Sequence, residues 1–151
     1  MELNLLILHI LTAILFLGPV TVATSTFHVK ALAAHNGDAD ARGAAALLHK
    51  ISNTYGMLSL LVPLLGVGEF IEKGLFDKGQ FHAAIGLSVV AWAVLFFLIL
   101  PRQKKMIAAL GLDPETPATE IADWKKAKGQ LSMFGGIFAL LWLVTAALMF
   151  I

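Results

Sequence analysis

Five histidines are the residues of this chain best suited to chemistry. His9 falls about two turns into the first apolar stretch, and His82 stands near the start of the third. His28 and His49 follow the first stretch and precede the second, at matched depth. Two imidazoles from facing helices at one depth are what bis-histidine ligation of haem b in a helical bundle requires. His9 with His82 is the first choice for such a cofactor-binding pair, and His28 with His49 the second. His9 and His28 share one helix, and at about 100° per residue their separation turns them roughly 100° apart. Both pairs therefore address one bundle axis only if the chain re-aims at Pro19, so one haem is the defensible number. The ordinary role stays open beside it: an interfacial imidazole that bonds a headgroup, water or a backbone carbonyl. His35, at the end of the same helix, is expected to be solvated. Trp92 and Trp142 lie mid-stretch, where a buried indole N–H wants an acceptor, on a neighbouring helix or a quinone-like ligand. No dinucleotide or phosphate-loop glycine motif, zinc-protease motif or Ser/His/Asp set is present, so no catalytic residue and no metal site is assigned. The absence of cysteine removes disulfides, thiolate chemistry and covalent haem attachment.

These side chains must be positioned by very apolar elements. Of 151 residues, 58% are hydrophobic and 14% charged, against roughly 45–50% and 25% in a soluble domain. Residues 3–27, 51–68, 79–101 and 129–151 contain no Asp, Glu, Lys or Arg. A bilayer core takes about 20 such residues per helix. The pattern excludes a soluble globular domain, a disordered chain and a nucleic-acid module. It predicts an all-α integral membrane four-helix bundle, a single domain 1–151 of two αα-hairpins with spans near 3–27, 51–71, 81–100 and 130–151. The first stretch lacks a basic leader and is too long for a signal peptide, so it reads as a retained helix. Lys30, Arg42, Lys50, Arg102, Lys104, Lys105, Lys125, Lys126 and Lys128 make nine of the eleven basic residues. All nine fall in the two connections on one side, which the positive-inside rule makes cytoplasmic, giving N-out/C-out. Such a face also attracts anionic lipid.

The first helix should kink at Gly18-Pro19 and stop at Asn36-Gly37. The second should be capped by Asp38 or Asp40, kink at Pro63 and end near Gly74. The third should stop at Pro101 or continue, kinked, to Leu110. A short amphipathic helix is expected after Thr116-Pro117, with Pro117 at its first position, and Trp124 should mark the interface. Residues 30–38, KALAAHNGD, resemble 105–113, KMIAALGLD, and Tyr55-Gly56 echoes Phe134-Gly135. A duplicated hairpin with its pseudo-two-fold axis along the membrane normal would produce this. Inside the spans no buried Asp, Glu, Lys or Arg is expected, which argues against an ion-coupled antiporter.

The segment LLILHILTAILFLGPVTVATSTF, and more loosely GLSVVAWAVLFFLILP, resembles small four-helix bacterial integral membrane proteins of unknown function, and more distantly the copper-resistance-D-like and HemJ-type membrane proteins. HemJ-type members oxidise protoporphyrinogen and bind haem through a helix-1 histidine, which the resemblance carries onto His9. The unknown-function relatives are the closer likeness and imply a fold, not an activity.

The leading expectation is a non-catalytic accessory or assembly subunit of a larger cytoplasmic-membrane complex, such as a respiratory one, needing no cofactor. Its partners would be the lipid bilayer and either that complex or further copies of itself. The alternative is a haem b-binding membrane redox protein or oxidoreductase using His9 and His82. An oligomeric transporter or channel is a third class.

Overall fold

The computed structural model describes residues 2–74, 77–118 and 120–149, the first three by backbone alone. The described residues form four long helices and no strand. They are α1 (Leu5–His35, with helical backbone from Glu2), α2 (Ala39–Lys73), α3 (Gly79–Ala109) and α4 (Trp124–Met149). Each is long and apolar enough to cross a membrane. The end of the fourth expected span, residues 150–151, lies outside the described residues.

Three of the helices carry an internal proline, and each deforms just ahead of it. Wide, π-type turns over Ala13–Leu17 precede Pro19, and similar turns over Val94–Ile99 precede Pro101. In α2 the helix breaks at Ser59-Leu60, shortly before Pro63. Proline removes a donor and its ring crowds the carbonyl one turn back, so the preceding turn widens or opens. The Ser59 carbonyl, orphaned by Pro63, instead accepts from the Val62 N–H at 3.0 Å. Thus α3 passes through Pro101 and runs on to Ala109, the longer of its two expected forms.

The helix ends follow their local chemistry. Gly37 and Gly111, at φ +104° and +73°, take the left-handed conformation that closes α1 and α3. The N–H groups of Asp38 and Leu112 return to the carbonyls of Ala33 and Ile107, both at 3.0 Å. Asp38, rather than Asp40, caps α2 by accepting from the backbone of Asp40 and Ala41. Asp123 likewise accepts from the Lys126 N–H at 3.0 Å, so α4 starts at Trp124, before the expected span at 130.

The helix expected after Thr116-Pro117 is absent among the described residues of that connection. Asp113 accepts from the Glu115 N–H at 3.0 Å, and Pro114 and Pro117 lack donors, so the segment folds into turns.

Packing joins α1 with α2 and α3 with α4, and docks the two hairpins through α1–α4 and α2–α3. The core runs through Phe27, Ala31, Ala45, Leu95, Ile99, Met106, Leu131 and Phe138. Buried positions of α1 (Leu17, Val20, Thr24, His28, Ala31) recur on α3 at a constant offset as Trp92, Leu95, Ile99, Gln103 and Met106. Ser52, Gly56 and Ser59 of α2 recur on α4 as Leu131, Gly135 and Phe138. Gly56 faces Leu95 of α3, and Gly135 faces the Thr24 backbone of α1. Glycines at corresponding places in the two hairpins therefore serve corresponding interfaces, as a duplicated hairpin requires.

Candidate functional site

The ring Nδ1 of His9 lies 2.8 Å from the Val62 carbonyl oxygen, where α1 meets α2. A carbonyl only accepts, so Nδ1 donates, and in the neutral ring Nε2 keeps the lone pair. The imidazole rests on Gly66, where an added methyl group would come within 2.9 Å of the ring. That glycine is what admits the histidine. His82, on α3, meets Phe70 of α2 edge-on, with ring centroids 5.2 Å apart. Val62, Gly66 and Phe70 are spaced four residues apart, so both imidazoles reach one stripe of α2. Beside it lies an apolar cavity of about 220 Å³, bounded by Pro63, Gly66, Phe70, Ile85, Trp92 and Met149. It exists because the second half of α2 and the first half of α3 touch sparingly.

The second pair does not share one environment. His28 is buried on α1, and its Nδ1 has no hydrogen-bond partner among the described residues. His49 places Nδ1 3.0 Å from Oε1 of Gln103 on α3. Gln103, fully buried, donates to Ser52 Oγ at 3.2 Å, and Ser52 donates to the Leu48 carbonyl at 2.9 Å. This His49–Gln103–Ser52 chain fastens α2 to α3. Sequence reasoning missed Gln103, although its place on α3 matches that of His28 on α1. Above the chain opens a cavity of about 600 Å³ lined by His49, Asn53, Lys104, Asp113 and Glu115 among others. The Thr116 side chain, then the Glu115 backbone, hold the Asp113 carboxyl below its ordinary pKa.

Both mid-helix indoles find acceptors inside the bundle. Trp92 donates to Ser59 Oγ and Trp142 to Thr21 Oγ1, each at 3.0 Å. The two hydroxyls pass their own protons to Gly56 and Leu17 carbonyls, at 2.6 and 2.7 Å. Each indole thus bridges the hairpins, one across α3–α2 and the other across α4–α1. His35 is exposed, as expected, but also stacks on Trp124 with centroids 4.2 Å apart.

One expectation fails. Glu69 is buried at 7% exposure within α2, whereas no buried charge was expected in a span. The residue lies just past the charge-free stretch 51–68, and α2 continues beyond it to Lys73. Lys73, one turn on, pairs with Glu69 at 2.7 Å, and that neighbour is what permits the burial. A missing carboxylate therefore no longer counts against ion coupling. Among the described residues no group of three or more His, Asp or Glu side chains is placed to hold a metal ion.

The fold and these sites define a four-helix bundle whose helices all have membrane-spanning length and apolarity. Comparison with protein-family models, with known proteins and with solved structures finds no match, so function has to be argued from the chain's own geometry.

Proposed function

We propose that this protein is an accessory or assembly subunit, embedded in the cytoplasmic membrane as N-out/C-out with its two large connections in the cytoplasm. The observation that carries the reading is the outward face of α4. Ser132 and Gly136, one turn apart, are exposed, and nothing lies within 4 Å of where a Gly136 side chain would start. Met133, Ile137, Leu140 and Leu143 flank them, also exposed. In lipid, apolar surface alone does not drive association, and small residues that let backbones approach closely do. The bundle already uses this device internally at Gly56 and Gly135, so the outward copy suits a helix of another subunit, such as one of a respiratory complex, or of a second copy.

The chain has no cysteine, so Ser132→Cys places a single crosslinkable thiol on that face. In native membranes the expected product is an adduct with a larger protein, reduced when Gly136→Leu is added. A crosslinked dimer of this chain would assign the face to homo-oligomerisation. No adduct with either would overturn the reading.

A second reading, a haem b-binding redox protein, is favoured by the His9 geometry, in which a carbonyl fixes Nδ1 and leaves Nε2 as the coordinating atom. His82 reaches the same stripe of α2. The adjoining cavity of about 220 Å³ is smaller than the roughly 300–1,000 Å³ of most ligand sites, so the hairpins would have to part to admit a macrocycle. A reduced-minus-oxidised spectrum of protein purified with haem supplied tests it. A b-type band lost in His9→Ala and His82→Ala supports the reading, and a flat spectrum removes it.

A further inference from the structure

We propose that the groove between the C-terminal end of α3 and the N-terminal end of α4 binds a phosphate group, carried by an anionic lipid headgroup or by a free phosphate ester, on Arg102, Lys105 and Lys126. The groove has a volume of about 500 Å³, and Arg102, Lys105, Met106, Ile121, Lys126 and Gln130 are among its walls. Its one acidic neighbour is Asp123, one oxygen of which accepts from the Lys126 backbone N–H. Among the described residues none of the three cations forms an ion pair. Three cations against one carboxylate leave the concave site net positive, which calls for an anion.

Arg102 is the fixed member. Its guanidinium lies 4.8 Å from the centre of the Phe134 ring and donates to the Leu98 carbonyl at 3.1 Å. These contacts hold the planar fork while leaving further N–H donors, the geometry that suits phosphate oxygens. Lys105 stands one turn beyond Arg102 on the same face of α3, and Gln130 adds a neutral donor from α4. The neighbouring groove between α2 and α3 also contains a lysine, Lys104, but sets it among two carboxylates, Asp113 and Glu115, so acid outnumbers base there.

The depth favours a lipid source, and this step rests on the membrane reading. Arg102 is the first charged residue after the stretch 79–101, and Lys126 and Lys128 are the last before 129–151. A headgroup layer is roughly 5–8 Å thick on each side of the hydrocarbon, and Lys105 lies about 4.5 Å along the helix from Arg102.

The test is native mass spectrometry of the full chain in detergent, titrated with phosphatidylglycerol, phosphatidylcholine or inorganic phosphate. Retained phosphatidylglycerol, with little phosphatidylcholine, is expected. Lys105→Gln with Lys126→Gln should weaken it roughly 25-fold, at about fivefold per cation, while Lys104→Gln leaves it unchanged. These lysine variants spare Arg102, whose contact with Phe134 supports the fold, and an unchanged Tm confirms that they fold. Competition by millimolar inorganic phosphate would assign the site to a free phosphate ester. Equal retention of both lipids, or no loss in the double lysine variant, would overturn the proposal. Resistance of the chain to alkaline extraction from membranes is scored separately, so failure of the site is distinguishable from failure of the membrane reading.

Discussion

At the end of the bundle that carries the turn after α1 and the connection from α3 to α4, all four helices interlock around Phe27, Ala31, Ala45, Met106 and Leu131. At the opposite end the α1–α2 and α3–α4 hairpins part, and an apolar cleft opens between Phe70 and Trp92. The closed end owes its closeness to side-chain size: Ala31, Ala34, Ala41 and Ala45 are all buried where α1 meets α2. The open end presents Leu64 and Val89 outward, both at 66% exposure. The closed end also holds the polar chain of His49, Gln103 and Ser52, whose members satisfy one another only when α2 and α3 are in register. Close helix approach and shared hydrogen bonds go together here, because a buried polar group is satisfied only where the facing helix comes close enough to pair with it.

The largest way to break the contrast is at Gly135. A methyl group there would meet the Thr24 carbonyl oxygen at 2.9 Å, a backbone atom with nowhere to go, whereas next door at Gly136 it would meet nothing. Gly135→Leu should therefore cost about 3 kcal/mol or more, read as a fall in Tm and a smaller urea midpoint in detergent. Gly136→Leu should leave stability level or slightly raised, since glycine is a poor helix former. Equal effects would mean that α1 and α4 are not in close contact. Next in size is Gln103→Leu, which strips His49 and Ser52 of a partner at the closed end and should cost about 1–3 kcal/mol. Its open-end counterpart is Ser88→Ala. Ser88 bonds only the Ala84 carbonyl of its own helix, at 2.9 Å, so its loss should be nearly neutral. Smaller again, Trp142→Phe and Trp92→Phe each remove one inter-hairpin hydrogen bond, worth about 1 kcal/mol.

The closed end is the more legible in the sequence, for physical reasons. Asn36-Gly37, Asp38 and the proline positions act through the backbone within a turn or so, and local chemistry is what a sequence displays. The indole acceptors can be anticipated because a buried N–H obliges one, although the partner hydroxyls, Ser59 and Thr21, depend on helix rotation. Gln103 escapes notice because a single amide in a basic segment resembles any solvated residue until α3 is known to continue past Pro101. The aligned repeat offers a signal, since it sets Gln103 opposite the histidine at 28. Glu69 defeats the expectation because the edge of a charge-free stretch is not the edge of burial. At the histidine sites, the sequence sets depth but not azimuth, and azimuth decides that His49 bonds Gln103 while His28 Nδ1 has no partner among the described residues.

The smallest effect lies on the lip of the closed-end cavity and sharpens the contrast by pH. The Asp113 carboxyl is held below its ordinary value of 3.8, chiefly by the Thr116 side chain and then by the Glu115 N–H. A carboxyl with a depressed folded pKa lends stability that is full above its unfolded pKa and is lost as pH falls through the folded one. The connection after α3 should therefore keep its amide protection from neutral pH down to about pH 4 and lose it below. Thr116→Val removes the hydroxyl donor and should shift that loss to higher pH, toward the ordinary carboxylate range. Hydrogen exchange of residues 112–118 measures it, with the turn at Asn36–Asp38 as internal reference. A matching shift at that reference turn would place the pH sensitivity in the bundle as a whole, because among the described residues no hydrogen bond joins Thr116 to the cap that Asp38 makes on α2.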